Sequence, residues 1–187
     1  MRRRLALLLA AAGLGLLAWG LWLPVKAALA QHLLERAWSR MQVGGEAVRL
    51  WPWADMHPAF RLVLPEVGEA FIVLDAASGE ALAFGPGLVP RSAPPGEPGV
   101  TLVGAHRDTQ FVGLRNVGPG DPLVVETVDG RRLLYRVRET AVVDSRAAGL
   151  RLDRAASLLV LSTCWPFDAV APGGPLRFLV VADLVAP

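Results

Sequence analysis

From Leu5 to Val25 the chain runs 21 residues without a charge. At about 1.5 Å rise per residue, a helix of that length spans the roughly 30 Å hydrocarbon core of a bilayer. Trp19 and Trp22 fall near its far end, where an aromatic belt meets the interface. Arg2, Arg3 and Arg4 precede it, and clustered positive charge favours a cytoplasmic N-terminus. Residues 1–25 therefore read as an N-terminal transmembrane anchor, with the remainder outside the cytoplasm. The competing reading is a cleaved signal peptide, since Ala28-Leu29-Ala30 resembles a cleavage box. The apolar run is long for a signal sequence, and Pro24 and Lys26 separate it from that box, so a retained anchor is the expectation.

Helical spacing follows. Leu29, Leu33, Leu34, Ala37 and Met41 share one face. Lys26, Gln31, Glu35, Arg36 and Arg40 lie elsewhere, and Gly44-Gly45 supplies a C-cap. The pattern predicts a short helix over residues 26–46, in a stalk or packed on the domain, with His32 facing solvent. From Trp51-Pro52-Trp53 onward the period changes. Two tryptophans around a proline do not fit a central strand; they would cover a core or line a groove. His57, before Pro58, reads as loop. Strands are predicted over Phe60 to Leu64, Phe71 to Leu74, Ala81 to Phe84, Val100 to Gly104, Leu123 to Val128, Arg131 to Arg138, Ala141 to Asp144, Leu158 to Thr163 and Leu176 to Ala182. Asp129-Gly130 predicts a type I′ hairpin turn. The stretch between Asp144 and Ser157 has room for one helical turn. Short strands at regular spacing with few helices indicate an all-β barrel or sandwich over residues 47–187.

Composition removes several function classes. Net charge is +2, and no long basic run interleaves with aromatics, which argues against nucleic acid as a partner. A single cysteine excludes an internal disulfide and a cysteine-cluster metal site. The three histidines, His32, His57 and His106, show no metal-binding spacing. No phosphate-binding glycine loop and no EF-hand pattern occurs. No metal or cofactor is expected.

The candidate chemistry gathers around that one thiol, in Leu161-Ser162-Thr163-Cys164-Trp165-Pro166-Phe167. Cys164 ends an apolar run, and Pro166 stops it. His106 directly follows a second strand, Val100 to Gly104, and Arg177 opens a third. A free thiol is only a few per cent thiolate at neutral pH, and a nearby cation favours the charged form. An imidazole can protonate a departing amine. A guanidinium keeps its proton and suits a fixed donor to an oxyanion. Singly, each residue has an equally good structural reading: a buried core cysteine, a rim histidine bonded to a carbonyl, an outward arginine in a surface ion pair.

Together these residues resemble the sortases, membrane-anchored cysteine transpeptidases. The resemblance rests on Leu161-Ser162-Thr163-Cys164, on Gly104-Ala105-His106-Arg107-Asp108-Thr109, and on Gly174-Pro175-Leu176-Arg177-Phe178, 13 residues after the cysteine. It covers roughly Ala47 to the C-terminus. Trp51-Pro52-Trp53-Ala54-Asp55 and Cys164-Trp165-Pro166-Phe167-Asp168 look most like the Gram-negative group, class GN. One departure is Val160, where many relatives carry a further threonine.

The resemblance implies an eight-stranded β-barrel and a thioester mechanism. Cys164 is the implied nucleophile, His106 the general acid and then base, Arg177 the oxyanion donor. Thr163 and Trp165 are the expected substrate-binding residues. Asp108 is expected to hold its loop through backbone hydrogen bonds rather than to complete a triad. The implied partners are a protein with a C-terminal sorting signal, an amine acceptor, and the inner membrane, with the catalytic domain in the periplasm. A hydrolytic cysteine peptidase and a non-enzymatic envelope domain are the alternatives.

Overall fold

The computed structural model describes residues 3–4, 13, 16, 20, 29–44, 49, 54–147, 155–169, 171 and 173–186. Most of the expected anchor, the Trp51-Pro52-Trp53 motif and most of the stretch expected to hold a helical turn lie outside the described residues. Among the described residues no helix is long and apolar enough to cross a membrane.

The first element, α1, covers residues 29–44. Its buried stripe is Ala30, Leu34, Ala37, Trp38 and Met41, while Leu29 is 56% exposed. The face is thus rotated from the one expected. Trp38 recruits it, because one indole buries more apolar area than a leucine can. Leu34, Ala37 and Trp38 pack on Ala54, Met56, Ile72, Leu74 and Ala81. Glu35 pairs with Arg61, and Gln31 Nε2 donates to the Phe84 carbonyl at 2.9 Å. The helix lies docked on the domain, and His32 is exposed as expected.

Eight strands follow: β1 (Pro58–Leu64), β2 (Glu69–Leu74), β3 (Gly87–Leu88), β4 (Gly99–Gly104), β5 (Pro122–Thr127), β6 (Arg132–Asp144), β7 (Ser157–Cys164) and β8 (Leu176–Ala186). They close a barrel in the order β1-β2-β3-β4-β7-β8-β6-β5. Neighbours are antiparallel except β2 with β3 and β4 with β7. Alternation along the strands sends Phe60, Leu62, Leu64, Val73, Val103, Leu123, Val125, Leu133, Tyr135, Leu159, Leu161, Val180 and Ala182 inward to one core.

Three expectations need correction. Ala81 to Phe84 is not a strand: Gly79–Leu82 forms one helical turn, α2, and the Ser78 side chain caps it by accepting from the Ala81 N–H. Arg131 to Arg138 and Ala141 to Asp144 are not two strands but one, β6, whose pairing with β8 shifts register between Val137 and Glu139. The β5–β6 turn is not type I′, because Gly130 has φ 84° while Asp129 does not have positive φ. The Gly130 N–H bonds the Thr127 carbonyl, and the Thr127 N–H bonds the Arg131 carbonyl, which makes a three-residue loop with a glycine bulge. Asp129 caps the turn through the Thr127 hydroxyl and Arg131.

Candidate active site

The site begins with strand parity. On β7, Leu159 and Leu161 point into the core, so Val160, Ser162 and Cys164 point outward. On β8, Val180 points in and Leu179 out. Cys164 is the cross-strand partner of Arg177, and directly opposed residues share a face. β4 lies on the other side of β7 in parallel, with Val103 opposite Leu161 and Gly104 opposite Ser162. The ladder continues one step further: the Ala105 N–H donates to the Ser162 carbonyl at 3.2 Å. Ala105 is buried in the core, so His106, next along the chain, turns to the outer face and is exposed. His106, Cys164 and Arg177 thus meet at one end of the β4–β7–β8 wall, on its outer surface. Below them on that surface lies an apolar cluster of Val160, Leu179 and Val181, flanked by Val100, Leu102 and Val143.

The local hydrogen bonds explain why the two loops stay in place. Thr163 is buried, and its hydroxyl donates to the Ala105 carbonyl at 2.8 Å. Thr163 therefore ties the strand that carries Cys164 to the residue before His106, and its hydroxyl does not face the open surface. The His106 carbonyl accepts from the Phe111 N–H at 2.9 Å, closing the following turn. Asp108 does not hold that loop as expected. It is exposed and makes no hydrogen bond among the described residues.

Arg107 is the residue that the sequence reading missed. It is 9% exposed. Its Nη2 donates to the carbonyls of Ala169, at 2.8 Å, and Ala171, at 3.0 Å. No local signal distinguishes it from a surface arginine, since its partners are backbone groups more than sixty positions away. Arg177 makes a parallel arrangement on the other side. Its Nη1 donates to Gly174 and Leu176 carbonyls at 2.8 and 2.9 Å. Its Nη2 and Nε carry no hydrogen bond among the described residues.

Trp165 sits half-buried in an aromatic cluster. Its ring stacks on Phe178 at 5.8 Å, and Phe167 meets both edge-on at 5.5 and 5.2 Å. The Arg115 guanidinium lies 5.1 Å from the Phe167 ring centre. These residues and Asp168 line a cavity of about 300 Å³. At the same end of the barrel, hydrogen bonds from Arg146, first from its side chain and then from its backbone N–H, hold the Asp144 carboxyl down at about 2. No group of three or more candidate metal-binding side chains occurs among the described residues.

The arrangement supplies a thiol, an imidazole and a guanidinium on one face, which is the equipment for acyl transfer through a thioester. The model of the sortase domain matches residues 62–185. Sortase D of Bacillus subtilis (strain 168) is 27% identical over 125 residues, covering 66% of this chain. The chain spans 62% of that relative's length. The solved structure of a Clostridium perfringens sortase D5 transpeptidase superposes with a TM-score of 0.68 at 16% identity, over 85% of this chain and 99% of that one. Sortase C-1 from Actinomyces oris superposes with a TM-score of 0.62 at 23% identity, over 70% and 74%. The structural likenesses establish the eight-stranded barrel, and the family match, over well more than half of the sequence, establishes that this chain belongs to the sortase family.

Proposed function

We propose that the protein is a membrane-anchored cysteine transpeptidase that cleaves a C-terminal sorting signal and transfers the acyl part to an amine. The observation that carries this reading is the cross-strand pairing of Cys164 with Arg177, beside a His106 that reaches the same outer face through the parallel β4–β7 register.

In this mechanism the Cys164 sulfur attacks the scissile carbonyl, and the oxyanion forms against a guanidinium donor of Arg177. His106 gives its proton to the departing amine as the C–N bond breaks, leaving a thioester. An incoming amine then loses a proton to His106 as it attacks the thioester, and the Cys164 thiolate is released beside the imidazolium, which restores the starting state. Arg177 now spends Nη1 on its own loop; Nη2 and Nε are the groups that serve the oxyanion. Trp165 lines a cavity with Arg115, Phe167, Asp168 and Phe178, an apolar and cationic surface that suits a peptide side chain.

We further assign the protein to the Gram-negative group, on Cys164-Trp165-Pro166-Phe167-Asp168 and the paired tryptophans before the barrel. Residues 1–25 form a single inner-membrane span with the N-terminus in the cytoplasm and the barrel in the periplasm. A reporter fused after Pro187 should be active only outside the cytoplasm.

The deciding experiment is to trap the adduct on Cys164 from an envelope extract, read the attached peptide by mass, and add an amine. An adduct that the amine converts to a transfer product supports the proposal. Release to water alone, whatever the amine concentration, makes the protein a hydrolytic peptidase. No adduct on Cys164 overturns the reading.

A further inference from the structure

Two arginines of the segment after His106 reach over to the loop after Cys164. Arg115 does so from the surface, through the Phe167 ring. Arg107 does so from the interior, through two backbone carbonyls. No carboxylate lies within ion-pair distance of Arg107 among the described residues, and its Nη1 is buried with no hydrogen-bond partner there. Burying a guanidinium without a counter-charge is costly. A purely structural tie between two loops would be made more cheaply by neutral side chains, so the position of this loop is what the cation secures.

We propose that Arg107 is a positioning residue, locking the 165–175 loop, and with it the Trp165 and Phe167 side chains that follow Cys164 in the chain, to the segment that carries His106. The inference deepens the proposed function and rests on it for its kinetic part. The direction of the lock follows from the other bonds. The His106 segment is held independently, by the Ala105 N–H to Ser162, the Thr163 hydroxyl to Ala105, and the Phe111 N–H to His106. The 165–175 loop is tied at its two ends, where the Trp165 N–H bonds Leu176 and where Arg177 and the Ser145 N–H hold the Gly174 and Pro175 carbonyls. Between those ends, among the described residues, the one other backbone tie is the Ala169 N–H to Pro166 at a long 3.4 Å. The His106 segment is the anchor and the loop after the nucleophile is the anchored part. Both carbonyls accept from a charged donor, which makes these the strong bonds of the middle of the loop.

The test compares the parent with Arg107→Met, which keeps the stem but removes every donor, and with Arg107→Lys, which keeps the charge and three donors on a shorter reach. Hydrogen–deuterium exchange is read over 105–111 and 165–175, and iodoacetamide probes Cys164. In Arg107→Met, amides of 165–175 should exchange about tenfold faster or more, the scale of losing a charge-assisted bond. Amides of 105–111 should keep parental rates, and alkylation should still go to completion. For the peptide recovered from the Cys164 adduct, KM should rise more than kcat falls. Arg107→Lys should recover part of both losses. Equal loosening of the two segments would make Arg107 a general stability residue, and unchanged protection of 165–175 would remove it from loop positioning; either overturns the proposal. A fall in kcat at constant KM would overturn it too, by placing Arg107 in the chemistry. Should Arg107→Met fail to fold, Arg107→Lys carries the same exchange map, with a smaller loosening confined to 165–175. A parent that forms no acyl adduct defeats the proposed function and leaves the exchange map to decide this inference.

Discussion

The β5–β6 pair and the β4–β7 pair are built on opposite principles. β5 and β6 are consecutive, joined by Val128-Asp129-Gly130, and their register follows from that turn. β4 and β7 are parallel, with everything from residue 105 to 156 between them in the chain. A parallel pair needs such a long connection, and closing it is entropically dearer than closing a hairpin. The local pair shapes the barrel and carries none of the candidate chemistry. The non-local pair aligns Gly104 with Ser162 and so delivers His106 to Cys164. Substitutions at the two pairs should therefore separate activity from stability.

The largest effects belong at the non-local seam. Cys164→Ala removes the nucleophile and should abolish the acyl adduct altogether, with the circular dichroism spectrum unchanged. His106→Ala leaves a thiol but no acid for the leaving amine, and peptide turnover should fall about 10²–10⁴-fold, the usual range for lost general acid–base catalysis. Arg177→Lys keeps charge but loses the planar fork. With Nη1 already committed to Gly174 and Leu176, a lysine must abandon either the loop or the oxyanion, so activity should not recover. Parental turnover in a folded Arg177→Lys would show that charge alone suffices.

Next comes a matched pair. Thr163→Val deletes the bond to the Ala105 carbonyl and leaves that acceptor buried and unsatisfied, a cost of about 1–3 kcal/mol. It should also lower turnover, because the strand end and the His106 segment lose their direct tie. Gly130→Ala forces a side chain into a left-handed residue of the hairpin, at about 1–2 kcal/mol, and should leave turnover untouched once folded. Thermal melting and peptide kinetics on both variants decide the matter. If the hairpin variant loses activity in proportion to stability, the separation between the two pairs fails.

The same contrast explains what could be read from the sequence. The two strands of the hairpin were visible as alternating runs around Asp129-Gly130, although the exact turn was not, since Asp-Gly is compatible with both a type I′ turn and a glycine bulge. The motifs around Cys164, His106 and Arg177 singled out the candidate site residues, and the family resemblance implied the strand number that the barrel has. The register that brings them to one face was invisible, because a parallel pairing leaves no local mark. Trp38 was passed over because a leucine stripe beside it has the same period. The two-residue β3 is too short for any periodic signal, and Arg107 is defined by distant carbonyls rather than by neighbours in the chain. Ser78 was the readable clue to α2: a capping serine two residues before Glu80 outweighs the apolar run that follows.

The smallest effect tests the contact between the two halves. Glu69 opens β2, which pairs with β1 and through it with the hairpin strand β5, on the hairpin half of the barrel; its carboxylate lies against Gly113, in the segment after His106: a Cβ on Gly113 would stand 2.5 Å from Glu69 Oε2. That oxygen is buried without a partner among the described residues, and burial raises the carboxyl above its ordinary 4.5. The folded protein then holds this proton more tightly than the unfolded chain, so Glu69's contribution is most favourable below the unfolded value and declines as pH rises through the folded one. Glu69→Gln removes the charge and keeps the shape. It should melt higher than the parent at pH 7, by less than Gly130→Ala loses, and the difference should vanish near pH 4. Turnover should not change, because the contact joins the halves away from the reacting groups. A Gln variant that melts lower at pH 7 would mean that the ionised carboxylate has a favourable partner, and that the two halves are held together by charge rather than by packing.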